Sequence, residues 1–248
     1  MSEKNRAGER SARERLAEER AREQAAEKRR RTLKVLGISV ATLAVVGGIG
    51  LAAGNTGSDR GTDGPPPEPI AQGPAGAPAT LTVYEDFRCP ACAQFETYYK
   101  DTIRDLQGEG KLRTEYHLVT IIDDGLGGQG STRAANAVIC AEDAGRFSEY
   151  HDLLFEEQPA ERTDAFADRE TLIGLAARIN GLDTEEFRDC VLGETHADRV
   201  ARTNAAFRDS EYGATPTVLL NGESVYGDPS DPLTVERLRE LVEEIAGE

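Results

Sequence analysis

The tetrapeptide Cys89-Pro90-Ala91-Cys92 sits where two kinds of repeat meet. Before it, Thr80–Tyr84 (TLTVY) alternates polar and apolar residues and predicts a strand. After it, Cys92, Phe95, Tyr99, Ile103 and Leu106 recur at helical spacing and predict a helix over Pro90–Gln107. Two cysteines delivered at that junction put the first at a helix N-terminus. There, unpaired N–H groups and positive potential favour a thiolate. Pro90 has no N–H to donate, but the first helical position needs none. Cys92 falls on the inner face. The expected roles are attack by Cys89 and resolution by Cys92, the division of labour that thiol–disulfide exchange requires.

Zinc also uses such a pair, but it wants two further ligands at matching short spacing. Cys140 and Cys190 are 50 residues apart, and His117, His151 and His196 make no ligand pair along the chain. A purely structural Cys89–Cys92 bridge is the other alternative; so short a loop would stabilise little. Cys140 lies in an apolar helical run, Ala134–Ala141, and Cys190 lies beside Phe187 and Val191. Their expected state is a structural disulfide, with two free buried cysteines as the alternative. No metal and no cofactor are expected.

The rest of the chain divides by charge. Residues 1–34 hold twelve Lys/Arg and seven Asp/Glu, a net +5, so residues 35–248 carry −21 of the total −16. So acidic a remainder argues against nucleic acid as a partner. Val35–Ala53 has no charged residue, and nineteen residues at ~1.5 Å each reach roughly 28 Å, about one bilayer core. Lys28, Arg29, Arg30, Arg31 and Lys34 precede it, which predicts a single-pass anchor with a cytoplasmic N-terminus and the remainder outside. A cleaved signal peptide, or export through a twin-arginine signal at Arg30-Arg31, is the alternative. The expected divisions are a charged tail (1–34), an anchor (35–53), a Gly/Pro-rich linker (54–78) and a folded domain (79–248). Four cysteines on the exported side suit an oxidising compartment.

Within the domain, Leu112–Ile122 contains a second strand. Residues 131–210 read as a large helical insertion. Thr217–Leu220 is a strand, turned by Asn221-Gly222 into Ser224–Tyr226. A last helix is expected from Asp231-Pro232, with Leu238, Leu241, Val242 and Ile245 as its buried stripe. The order is that of an α/β thioredoxin-like fold interrupted by helices.

Phe87-Arg88-Cys89-Pro90-Ala91-Cys92 after its strand, and Gly213-Ala214-Thr215-Pro216-Thr217 further on, resemble the two signatures of the DsbA-like, thioredoxin-fold family. The likeness covers about residues 79–246. It implies an oxidant or isomerase acting on the thiols of exported proteins. It also implies that the Thr215–Pro216 bond is cis, faces the cysteines, and holds substrate by backbone bonds. A quinone-linked membrane re-oxidase resembling vitamin K epoxide reductase is the implied partner. Pro-Ala lacks the His of the strongest oxidants, and Thr215 before the proline is more like the isomerase branch. Val83, six before Cys89, stands where many relatives bury a carboxylate. Glu85 and Asp86 flank the strand end, where solvation is the simple expectation.

Gly125–Gly130 (GLGGQG) fits a dinucleotide fingerprint, but no strand follows for about 85 residues, and a flexible hinge into the insertion is the expected role. Gly50-x-x-x-Gly54 has the spacing of a membrane packing motif. His117 is expected to be packed or surface-exposed rather than catalytic. The reading is a membrane-anchored thiol–disulfide oxidoreductase that forms disulfides outside the cytoplasm. An isomerase or reductase, or a redox-inert tethered binding domain, is the alternative.

Overall fold

The computed structural model describes residues 64–247. The charged tail, the apolar run 35–53 and the first part of the linker lie outside the described residues. Among the described residues no helix is long and apolar enough to cross a membrane.

A five-stranded sheet forms the centre, in the order β1-β3-β2-β4-β5. Strand β2 (Ala79–Glu85) is its middle, with alternate residues buried. It lies parallel to β3 (Leu112–Leu118) and antiparallel to β4 (Thr217–Leu220). Helix α1 (Pro90–Gly108) makes the crossover between β2 and β3. β4 turns through Asn221 and Gly222, both at positive φ, into β5 (Glu223–Ser224). β5 is two residues long and stops before Tyr226.

The linker is shorter than its composition suggests. Strand β1 (Ile70–Gln72) pairs antiparallel with the edge of β3, and Ile70 is buried. Three residues between prolines and glycines are too few to show alternation; the edge of β3 supplies the pairing. Gly73 follows at φ 88°, where a Cβ would meet the Leu112 carbonyl at 2.5 Å.

The insertion begins at α2 (Ile121–Leu126), ten residues earlier than the helical pattern indicated. α3 (Gly130–Asp143) is its buried axis, followed by α4 (Phe147–Glu156), a 3-10 turn (Ala165–Ala167), α5 (Arg169–Ala176), α6 (Glu185–Gly193) and α7 (Ala197–Arg208). The glycine run before α3 is tightly bonded. Gln129 and Gly130 donate their N–H groups to Asp164, at 3.0 and 2.8 Å. Cys140 on α3 and Cys190 on α6 are joined by a disulfide, with Cα atoms 5.9 Å apart. The closing helix α8 (Val235–Gly247) starts later than Asp231-Pro232. Thr234 is the residue that caps it, accepting the Arg237 N–H at 3.0 Å on its hydroxyl.

Candidate active site

Strand β2 ends at Glu85, and the four residues after it aim Cys89 at the start of α1. Asp86 holds this turn. Its carboxylate accepts the N–H of Arg88 at 2.8 Å and that of Ile122 at 2.9 Å, and its carbonyl accepts the N–H of Cys89 at 2.9 Å. Glu85 and Asp86 are both fully buried, not solvated. Burial pushes the Asp86 carboxyl up to about 6.

Arg88 points away from the cysteines into the insertion. It pairs with Asp123 at 2.7 Å and Asp164 at 3.2 Å, and donates to the carbonyls of Gly127 (2.9 Å) and Glu161 (3.0 Å). From the loop after α4, Gln158 donates to the carbonyls of Phe87 (2.9 Å) and Cys89 (3.0 Å). The segment before Cys89 is therefore gripped by backbone and side chains that follow it by 35 to 76 residues.

Cys89 is the N-cap of α1 in extended conformation, with Pro90 in the first turn. Both cysteines are free thiols; Cys89 is 6 % exposed and Cys92 1 %, so the first is the one a partner can reach. The Cys89 thiol donates to the Thr215 carbonyl at 3.3 Å, across the cis Thr215–Pro216 bond. The Thr215 hydroxyl has no partner of its own. Hydrogen bonding from the Cys92 thiol is the main influence that brings the Cys89 thiol down to about 6, against burial. The N–H groups of Cys92 and Ala91 add to it. Burial pushes Cys92 well up. One sulfur is thus favoured as a thiolate, and the other is kept protonated beside it.

Folding brings together Cys89, Cys92, Thr215 and Pro216, and sets Cys140–Cys190 apart in the insertion. Beside the cysteines, an apolar groove of about 560 Å³ is lined by Ala93, Gln94, Thr97, Tyr98, Tyr99 and Tyr226. Tyr98 is more than half exposed there.

Two residues near the site escaped the sequence reading. Glu96 lies on the buried face of α1, one turn beyond Cys92. His151 of α4 is buried and sits 2.7 Å from Glu85. Burial and the neighbouring Glu85 raise the Glu96 carboxyl. Burial alone would hold the His151 imidazole down, but the Glu85 carboxylate against it outweighs this and raises it. The available signal was positional: Glu96 falls one turn past Cys92 in the apolar stripe, and His151 falls midway between Phe147 and Phe155. His196 also gains a partner, Asp143 at 2.7 Å. His117 stacks on Tyr84, ring centroids 4.5 Å apart.

The thioredoxin family model matches residues 66–244. Among curated proteins, the Na(+)/H(+) antiporter NhaA 1 of Salinispora arenicola is 33 % identical over 156 residues, 63 % of this chain and 22 % of that protein. The chain thus spans about a quarter of the length of such antiporter relatives. Disulfide bond formation protein D of Bacillus subtilis is 25 % identical over 150 residues, 60 % of this chain and 66 % of that one. Among solved structures, oxidised DsbA of Mycobacterium tuberculosis superposes with a TM-score of 0.62 and 28 % identity, covering 73 % of this chain and 94 % of that one. Reduced DsbG of the same organism gives 0.62 and 29 %, covering 74 % and 90 %.

Proposed function

The chain belongs to the thioredoxin family, among its DsbA-like members, and from that premise we propose that it forms disulfides in exported proteins through Cys89 and Cys92. The observation that carries this reading is the Cys89 sulfur. It stands at a helix start with its thiol held at about 6, and it faces Thr215 beside Pro216 at 3.3 Å.

In the proposed reaction the resting form holds a Cys89–Cys92 disulfide. A substrate thiolate attacks Cys89, forming a mixed disulfide and releasing Cys92, which takes up a proton. A second substrate thiolate then attacks the substrate sulfur and expels Cys89 as a thiolate. Two electrons pass from substrate to enzyme, and the substrate leaves with a new disulfide. Cys89 is the better leaving group because its thiolate is stabilised, and stabilising the reduced form makes the couple more oxidising. The backbone at Thr215 and Pro216 holds the substrate strand. The groove along α1 takes that substrate's apolar residues, since Ala93 and Gln94 continue directly from Cys92 into its wall.

Anchoring through residues 35–53, an extracytoplasmic position and renewal by a quinone-linked re-oxidase complete the proposal. Isomerase or reductase action is the second reading. It is favoured by Thr215 before the cis proline, which is more like the isomerase branch. Equilibration with glutathione separates them. We expect a couple nearer about −120 mV than about −270 mV, and a value at the lower end would assign a reductase. Refolding of reduced and of scrambled substrate, run side by side, distinguishes oxidant from isomerase.

A further inference from the structure

Behind the cysteines the fold gathers a second set of donors, two carboxyl groups and an imidazole. Glu85 comes from the end of β2, Glu96 from α1 and His151 from α4. They are 0, 3 and 2 % exposed, and their donor atoms lie within 4.8 Å of one another. His151 Nε2 and Glu85 Oε1 are hydrogen-bonded at 2.7 Å. With both groups ionised, Glu85 Oε2 and Glu96 Oε1 are buried with no donor facing them. Unpartnered buried carboxylate oxygens are costly. The nearest basic side chains are engaged outward, Arg104 with Asp152 and Lys100 with Glu156.

The geometry points to a binding site for one divalent transition-metal ion, of the zinc type, held by Glu85, Glu96 and His151. Binding displaces the protons that Glu96 and His151 hold; two carboxylates and a neutral imidazole then balance a 2+ charge, and the ion gives both orphan oxygens a partner. Zinc takes such mixed nitrogen and oxygen donors, whereas magnesium and calcium take oxygen alone. On the far side of the ring, His151 Nδ1 faces Asp152 at 3.6 Å, in the manner of a carboxylate that steadies a ligating imidazole. Glu96, Tyr116, His151 and Asp152 help line a cavity of about 10 Å³, room for one water or ion. Phe87, Tyr116, Phe147 and Phe155 surround the imidazole and keep the shell dry.

The test uses the oxidised protein, in which Cys89 and Cys92 are joined and offer zinc no thiolate. The protein is stripped with a chelator, dialysed against zinc sulfate and assayed for metal by mass spectrometry, with melting temperature measured in parallel. Wild type is expected to bind one zinc per chain and to melt higher with it, with no response to magnesium. Glu96→Gln keeps the shape of the side chain and is expected to lose the site. Asp152→Asn leaves the three ligands intact and is expected to weaken binding about 10- to 100-fold. Circular dichroism checks that each variant is folded. If Glu96→Gln does not fold, Asp152→Asn alone decides. No uptake by wild type, or uptake unchanged in the folded variants, overturns the proposal and leaves a cluster neutralised by shared protons.

Discussion

The molecule holds two pairs of cysteines, and they differ in everything except the element. Cys89 and Cys92 are three positions apart across a helix start, free, and ringed by hydrogen-bond donors. Cys140 and Cys190 close a separation of 50 residues between α3 and α6. Cys140 is buried among Ala137, Val138 and Ala141 of an apolar helix. The first setting pays for a thiolate with donors aimed at sulfur; the second offers the Cys140 sulfur only packing and one distant amide, Asn136 Nδ2 at 3.8 Å. Reactivity follows the surroundings of the sulfur.

The sharpest way to break that contrast is to exchange the roles. Cys89→Ser removes the nucleophile and is expected to cut disulfide transfer by on the order of 10³-fold or more while leaving the melting temperature of the reduced protein nearly unchanged at and below about pH 6. Turnover that survives this change, carried by Cys140 or Cys190, would falsify the division. Cys140→Ala should do the reverse. Opening a loop of 50 residues is expected to cost about 4 kcal/mol in the chain-entropy model, less any strain relieved. Exchange through Cys89 should persist in the fraction that stays folded. Denaturant unfolding and a thiol-exchange assay on the same samples read both effects.

How much of this was legible in the sequence depended on how locally each feature is encoded. β2, α1, β4 and the Asn221-Gly222 turn announce themselves because alternation, helical recurrence and a turn dipeptide are properties of a few consecutive residues. The resemblance supplied the Thr215-Pro216 loop, which lies 126 residues from Cys89 and is joined to it only by folding. β1 was hidden because a three-residue strand exists only by virtue of its neighbour. Thr234 displaced Asp231 as the cap because Asp231 is taken into a turn, its N–H bonded to the Asp228 carbonyl. Arg88, Glu85, Glu96 and His151 could not be read at all as a site. Each is an ordinary polar residue in its own segment, and its partners come from distant segments.

The two pairs should also part with pH. The Cys89 thiol in the folded, reduced protein titrates at about 6, below the 9.0 of an ordinary cysteine thiol. A folded value that is depressed adds stability at and above the unfolded value, and that stability drains away as pH falls through about 6. The Cys140–Cys190 disulfide carries no titrating proton. Reduced protein is therefore expected to gain stability relative to the Cys89→Ser variant between about pH 6 and pH 9. The contribution of the distant disulfide should stay level across that range. Alkylation against pH gives the midpoint directly; a midpoint near 9, or labelling of Cys92 first, would remove the electrostatic distinction between the two thiols.

The smallest effect concerns the place where the two regions touch. Gln158 belongs to the insertion that carries the structural disulfide, yet its amide bonds the carbonyls of Phe87 and Cys89. Gln158→Ala deletes both bonds and is expected to cost about 1 to 2 kcal/mol, since each net hydrogen bond is worth about 1 kcal/mol. The Cys89 carbonyl keeps its α1 partners, the N–H groups of Cys92 and Ala93, so the helix start survives. Exchange should slow by less than about tenfold, because only the hold on the segment is loosened and no group aimed at the sulfur is lost. A loss as large as that of Cys89→Ser would make Gln158 part of the chemistry. Combining Gln158→Ala with Cys140→Ala then asks whether the regions are independent. Sites without shared partners add within about 0.5 kcal/mol. Gln158 bonds the turn before α1, whereas Cys140 bonds α6, so additivity is the expected result. An excess beyond that margin would mean that the structural disulfide helps to hold the loop at Gln158 against the nucleophile, and the contrast between the pairs would have to be redrawn as a coupling.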